Sequence, residues 1–236
     1  CFVRINCKHV IVPIAIKYII QQFTDRVIGS KLLSLHRDTL FQKLLSTKIP
    51  NLKSFTFLFR ASDNEYSAHK FHAACDGIDK KGQLVIIESN HGNIFGGYTS
   101  CAWINESDGE LLTYQTDSKA FLFMIKSDKK KYDEQCPMIF PIKKSKIETA
   151  ICYYKNSGPV FGDGHDIRIG LDCGRKSYVK ILNQPFVFNT NSFSFASYGY
   201  DIPNDLILCG GESVDYEHPA YWFEVVDYEV YQTILK

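Results

Sequence analysis

The amino-acid sequence predicts an α+β domain that is mostly β. Phe and Tyr number 17 and 14 among 236 residues, more than amphipathic helices need, and both favour strands. The chain also breaks into strand-length apolar runs bounded by Gly, Pro, Asn and Asp. Two of these runs, 84–87 and 121–125, lack polar alternation, so both faces of each strand must be covered. Either helices pack on a sheet or two sheets pack on each other.

The elements follow in order. Residues 13–23 carry Ile14, Ile16, Tyr18, Ile19, Ile20 and Phe23 behind Pro13, the pattern of a helix with Pro in its first turn. Residues 34–48 place Leu40, Phe41, Leu44 and Leu45 at helical spacing behind Ser34 as N-cap, which predicts an amphipathic helix. A strand is expected at 55–60. A short helix over 67–75 would be capped by Ser67 and stopped by Gly77. Runs 84–87 and 94–98 flank Asn90-His91-Gly92-Asn93, a hairpin signal. Gly96 and Gly97 inside the second run predict a bulge or a close backbone approach, since Gly otherwise weakens a strand. Further strands are expected at 121–125, 148–154, 166–169 and 221–231, the last completing a sheet and tying down the terminus.

Composition excludes several function classes. The 27 basic and 26 acidic residues cancel, leaving no global field for nucleic acid or an anionic membrane. The apolar stretch 10–20 is interrupted by Pro13 and Lys17 and falls short of the ~20 residues of a membrane helix, so no membrane insertion is expected. Cysteines 1, 7, 75, 101, 136, 152, 173 and 209 show no C-x-x-C spacing and no secretory leader. They read as reduced, buried thiols of a cytoplasmic protein, which outweighs the sequon Asn105-Glu106-Ser107. Cys at position 1 predicts a piece of a longer protein. Residues 1–28 are therefore read as an N-terminal helix or linker from an upstream region, and 29–236 as the domain.

Four groups of side chains are candidates for chemistry. His69, His72, Cys75 and Asp76 fall three or four apart, as metal ligands on one helix face would, but no second ligand pair accompanies them. Asp163, His165 and Asp166 lie among Gly158, Gly162 and Gly164; a carboxylate beside an imidazole suits a base, and a tight turn into a strand explains the same residues. A nucleophile elbow is missing, as is a phosphate-binding glycine pattern, so no cofactor is expected. Cys101, Cys152 and Cys173 would need lowered pKa values to act on oxidants. Lysines 126, 129, 130, 131, 143, 144 and 146 offer a dock for an acidic partner or form a solvated loop with Asp128, Asp133, Glu134 and Glu148.

The order of short motifs is more telling than any one of them. Arg60-Ala61-Ser62, Phe71-His72, Asp76-Gly77, Phe95-Gly96-Gly97-Tyr98, Phe121 with Phe123, Gly158 with Phe161-Gly162, Gly164-His165-Asp166 and Glu229 succeed one another as in the TLDc domain family, which the chain resembles from Gly29 to Ile234. Asn64-Glu65 replaces that family's usual turn, and 132–147 is longer and richer in Lys. The resemblance implies a sandwich of antiparallel sheets with a few peripheral helices, with these motif residues holding the fold. It further implies a non-catalytic protein-binding module without metal or cofactor, linked to oxidative-stress protection. The implied partner is the peripheral sector of the vacuolar-type proton-pumping ATPase, met at an organelle surface. The alternatives are a scaffold component of a larger, for example cytoskeletal, assembly and a hydrolase or redox enzyme built on Asp163, His165 and Asp166.

Overall fold

The computed structural model describes residues 28–77, 82–103, 113–163, 166–170, 192–195, 199–203, 205–210 and 220–236. The helix expected at 13–23, the sequon at Asn105, Gly164, His165, Cys1, Cys7 and Cys173 lie outside them.

Two antiparallel six-stranded sheets form the body. In the first the order is β1 (Leu52–Arg60), β12 (Val225–Leu235), β2 (Gln83–Ser89), β3 (Ile94–Thr99), β5 (Phe121–Lys126) and β6 (Met138–Pro141). In the second it is β11 (Ala220–Phe223), β10 (Ser192–Phe195), β9 (Ile167–Arg168), β8 (Val160–Phe161), β7 (Ile151–Tyr153) and β4 (Thr113–Gln115). Among the described residues three α-helices are peripheral: α1 (Leu35–Lys48), α2 (Ala68–Cys75) and α3 (Lys130–Asp133).

The unbroken apolar runs are explained by what lies on each side of the first sheet. Val85, Ile87, Leu122, Met124 and Val230 pack with Ile151, Phe161 and Ile167 of the second sheet and with Ile169 just beyond β9. Their neighbours Leu84, Ile86, Phe121, Phe123 and Ile125 pack with Phe41, Leu45 and Ile49 at α1. Successive side chains of a strand alternate faces, and here both faces are dry. Burying each such Leu, Ile or Phe contributes about 1.5–3 kcal/mol.

Ser34 caps α1 by accepting the Arg37 amide at 3.4 Å. The helix does not bury the stripe its spacing suggests: Leu40 is 39% exposed, while Asp38 and Gln42 are buried beside Phe41 and Leu45. Asp38 is inside because it binds three backbone amides of the preceding segment, described below. Ser67 caps α2, and Gly77 at φ +66° follows it. Phe71 then packs edge-on against Phe59 and Trp103, linking α2 to β1.

Two expected strands take another form. Of residues 148–154, only Ile151–Tyr153 are extended; Lys144–Thr149 form a 3-10 turn whose Ile147 carbonyl accepts the Asp117 amide. The expected strand 221–231 is two strands in different sheets. The Glu224 amide donates to Asn90 Oδ1 at 3.0 Å and the Glu224 carbonyl accepts the Asn90 amide at 2.9 Å, so the hairpin turn stands in for a strand partner where the chain changes sheets. A register shift between Val225 and Asp227 then leaves Val226 47% exposed.

Candidate functional site

Arg60 and Glu229 face each other across the β1–β12 ladder, and Glu229 is fully buried. The Arg60 guanidinium donates to Glu229 Oε1 through Nη2 and through Nε at 2.9 Å. Glu229 also accepts the Lys31 amide (3.2 Å), the Ser30 hydroxyl (2.5 Å) and the Tyr231 hydroxyl (2.9 Å). Burial alone would lower the Arg60 pKa, yet the hydrogen-bonded Glu229 carboxylate outweighs it and holds the guanidinium above its ordinary value. Burial and the adjacent Glu229 charge push the Tyr231 hydroxyl up as well.

The same cluster fastens the segment 28–33 across the sheet. Asp38 accepts the amides of Ile28 (2.7 Å), Gly29 (2.9 Å) and Ser30 (3.3 Å). Burial pushes the Asp38 carboxyl up despite those three donors, and the Glu229 charge adds to the rise. Ser62, at the turn leaving β1, donates its amide (3.0 Å) and hydroxyl (2.6 Å) to Asp227. The motif Arg60-Ala61-Ser62 thus meets Asp227 and Glu229 of β12, with Ala61 fully buried between them.

A second polar cluster ties α2 to the second sheet. His72 Nδ1 lies 3.1 Å from both Asp76 carboxylate oxygens, and Nε2 lies 2.9 Å from the Ser157 carbonyl oxygen. The imidazole is 7% exposed and packs beside Phe71 and Tyr153. His72 and Asp76 thus engage each other and the backbone. Among the described residues no group of three or more His, Cys, Asp or Glu side chains is arranged to hold a metal ion.

Gly96, Gly97, Gly158 and Gly162 sit where a side chain would crowd its neighbours. A Cβ on Gly97 would stand 2.6 Å from the Phe161 ring of the second sheet, and one on Gly96 would fall on the Val85 carbonyl oxygen. Gly158 leaves room for Ile169 and the Tyr228 hydroxyl. Gly162 has φ +81° and would drive a Cβ into the Asp166 carboxylate, which is fully buried and accepts the Gly199 amide at 2.8 Å. Phe95 and Phe123 are fully buried on opposite faces of the first sheet, and Tyr98 stacks on Phe121 at 4.9 Å.

The TLDc domain family model matches residues 29–234. The chain belongs to the TLDc domain family. Among curated proteins, none matches its sequence. Family membership makes it a TLDc-type protein-interaction module, of a kind linked to oxidative-stress resistance.

Among the described residues, burial holds the TLDc domain's thiols away from the thiolate form. Burial pushes Cys136 up to about 11 and Cys152 and Cys209 to about 12. Cys75 and Cys101 are raised too, again chiefly by burial. A thiolate is the reactive form, so these values disfavour attack on an oxidant. Cys136 borders a cavity of about 310 Å³ with His36, Arg37, Leu40 and Asp133. Arg37 is already bound there to the Ile125 carbonyl (2.6 Å) and to Asp133 (2.9 Å).

The fold divides the lysine-rich stretch. Antiparallel pairing sets Phe121 opposite Pro141 and Met124 opposite Met138, so Lys126, Lys129, Lys130 and Lys131 lie at one end of the β5–β6 pair and Lys143, Lys144 and Lys146 at the other. Lys130, Lys131 and Lys146 are paired with Glu134, Asp205 and Asp163. Among the described residues no helix is long and apolar enough to cross a membrane. Sequence reasoning overlooked Ser30, Asp38 and Asp227 as partners of the motif residues. Ser30 and Glu229 are 199 positions apart, and no local spacing signals such a pair.

Proposed function

We propose that this TLDc domain is a non-catalytic binding module that regulates or adapts the vacuolar-type proton-pumping ATPase, docking on the pump's peripheral sector from the cytoplasmic side as part of oxidative-stress protection. The observation that carries the reading is that the polar motif side chains engage one another: Arg60 with Glu229, His72 with Asp76, Asp166 with the Gly199 amide. Residues consumed in this way hold a platform rigid. In this reading the motif residues, Gly164 and His165 included, are structural, and the partner is met by surface residues outside the motifs. TLDc domains are generally non-enzymatic, and the raised thiol values fit that pattern.

The test is co-purification of the intact protein with the pump's detached peripheral sector. Co-elution in a fixed ratio is expected. Retention by cytoskeletal assemblies without pump subunits would move the assignment to a scaffold, and a turnover that vanishes with Asp163→Asn in a folded protein would overturn the non-catalytic reading.

A further inference from the structure

One corner of the domain combines exposed apolar side chains with positive charge that, among the described residues, no carboxylate pairs. It lies where α1 ends, β1 begins and β12 ends. The Leu52 amide donates to the Ile49 carbonyl, and the Lys236 amide donates to the Asn51 carbonyl at 2.8 Å, so Lys48, Lys53 and Lys236 are drawn together at this junction. All three are exposed, as is Lys43 one turn back on α1. No Asp or Glu occurs between Asp38 and Asp63 or in residues 230–236, so neither stretch carries an acidic side chain to neutralise them.

Two of the large exposed apolar side chains fall on the same ground. Phe57 is 47% exposed and Leu235 49%. Phe57 pairs with Tyr231 in the ladder, and Leu235 is four residues further along β12, so both point to the α1 side of the sheet about 13 Å apart. Leu52 and Phe55, partly buried, fill the space between them. The helix covers the middle of the sheet and leaves this margin open. Among the described residues β1 is also an edge strand, with a regular four-residue register over Ser54, Phe55, Thr56 and Phe57 between two bulges.

We propose that this corner is a docking surface for an acidic protein segment carrying an aliphatic side chain, with carboxylates meeting Lys48, Lys53 and Lys236 and the aliphatic group seated against Phe57 and Leu235. Charge complementarity names the partner's chemistry, because lysines that no described carboxylate pairs steer and retain an anionic segment. The strand edge favours an extended peptide over a lipid surface, since a peptide can use the edge as well as the side chains. The proposal rests on the reading of this domain as a protein-binding module and adds the surface and the partner's chemistry.

The intact protein is compared with a Lys48→Glu, Lys53→Glu, Lys236→Glu triple variant, with Leu235→Ser, and with Lys129→Glu, Lys130→Glu as a control elsewhere. Thermal melts check that each is folded. Three probes are used: the pump's peripheral sector, a short fluorescent peptide alternating Glu and Leu, and phosphatidylserine vesicles. The triple variant should bind the sector and the peptide about tenfold or more weakly at low salt, and the wild-type advantage should shrink as salt screens it. Leu235→Ser should weaken both at every salt concentration, and the control should match wild type. If the sector binds wild type and triple variant alike, the surface is wrong and the pump reading stands. If the peptide binds wild type but the sector does not, the pump reading fails and the surface stands. Tight vesicle binding without peptide binding overturns the proposal in favour of a membrane.

Discussion

At the centre of the first sheet the two faces are equally dry but are closed by different chemistry. Towards the second sheet, closure depends on the absence of side chains: Gly97 lets the Phe161 ring lie against the backbone, and Gly158 leaves room for the Tyr228 hydroxyl of β12. Towards α1, closure depends on charge: Glu229 and Asp38, both buried, collect the amides of 28–31 and the Arg60 guanidinium. An interface between sheets can be tightened only by bringing backbones closer, whereas an irregular segment must first have its amides satisfied. The comparison teaches why the motifs mix glycines, aromatics and charges: each kind of residue closes a different face of the same sheet.

The largest effect should come from the charged face. Glu229→Ala would strip Arg60, 7% exposed, of its buried counter-ion and leave it only Asp63 at 3.1 Å and Asp227 at 3.9 Å, both nearer solvent, and should cost about 3 kcal/mol in urea unfolding. Replacing both partners, Arg60→Met with Glu229→Leu, should recover much of that loss, because the penalty lies in the uncompensated charge. If the single variant unfolds at the wild-type midpoint, the contrast between the two faces is gone.

Next comes the glycine face. Gly97→Ala puts a methyl group 2.6 Å from Phe161, and overpacking of this kind should cost about 1–3 kcal/mol. Phe161→Leu combined with it should restore part of the stability if the ring is the obstacle. No recovery would mean the strand backbone, and not the facing sheet, sets the requirement for glycine.

Asp38→Ala probes the strap alone and should cost about 1–3 kcal/mol by leaving amides of 28–30 without an acceptor. Amide hydrogen exchange should quicken at 28–33 before it changes in β2 or β3, since local opening precedes global unfolding where few contacts hold. Uniform acceleration would show that the strap and the sheet open as one unit.

How much of this could be read in the chain depends on the range of each interaction. The strands at 84–87, 94–98 and 121–125 are visible because their apolar runs are local, and the cap residues Ser34 and Ser67 because their partners are three residues away. The burial of Asp38 in place of Leu40 was not visible, because its cause is a strap folded back eight to ten residues upstream. The split of 221–231 was hidden for the same reason: Asn90, 134 positions from Glu224, makes the break. Motif order identified the family, yet it did not show that Arg60 and Glu229 are one ion pair or that the lysine-rich stretch is divided between two ends of a hairpin.

The smallest effect sharpens the comparison by placing the buried pair beside an exposed one. Tyr132 and Lys131 hydrogen-bond the Asp205 carboxylate and hold it at about 2, below its ordinary 3.8. A depressed folded-state value means that the folded chain gives up this proton more readily than the unfolded chain. The stabilisation is therefore fully present above 3.8 and is lost as pH falls from 3.8 towards 2. Lys131 and Asp205 are both about two-thirds exposed, so solvent and salt screen the pair. Lys131→Ala should leave the melting temperature at neutral pH almost unchanged, and any difference from wild type should disappear on acidification through that window and on adding salt. A loss comparable to that of Glu229→Ala would mean that burial is not what separates a structural ion pair from a surface one in this domain.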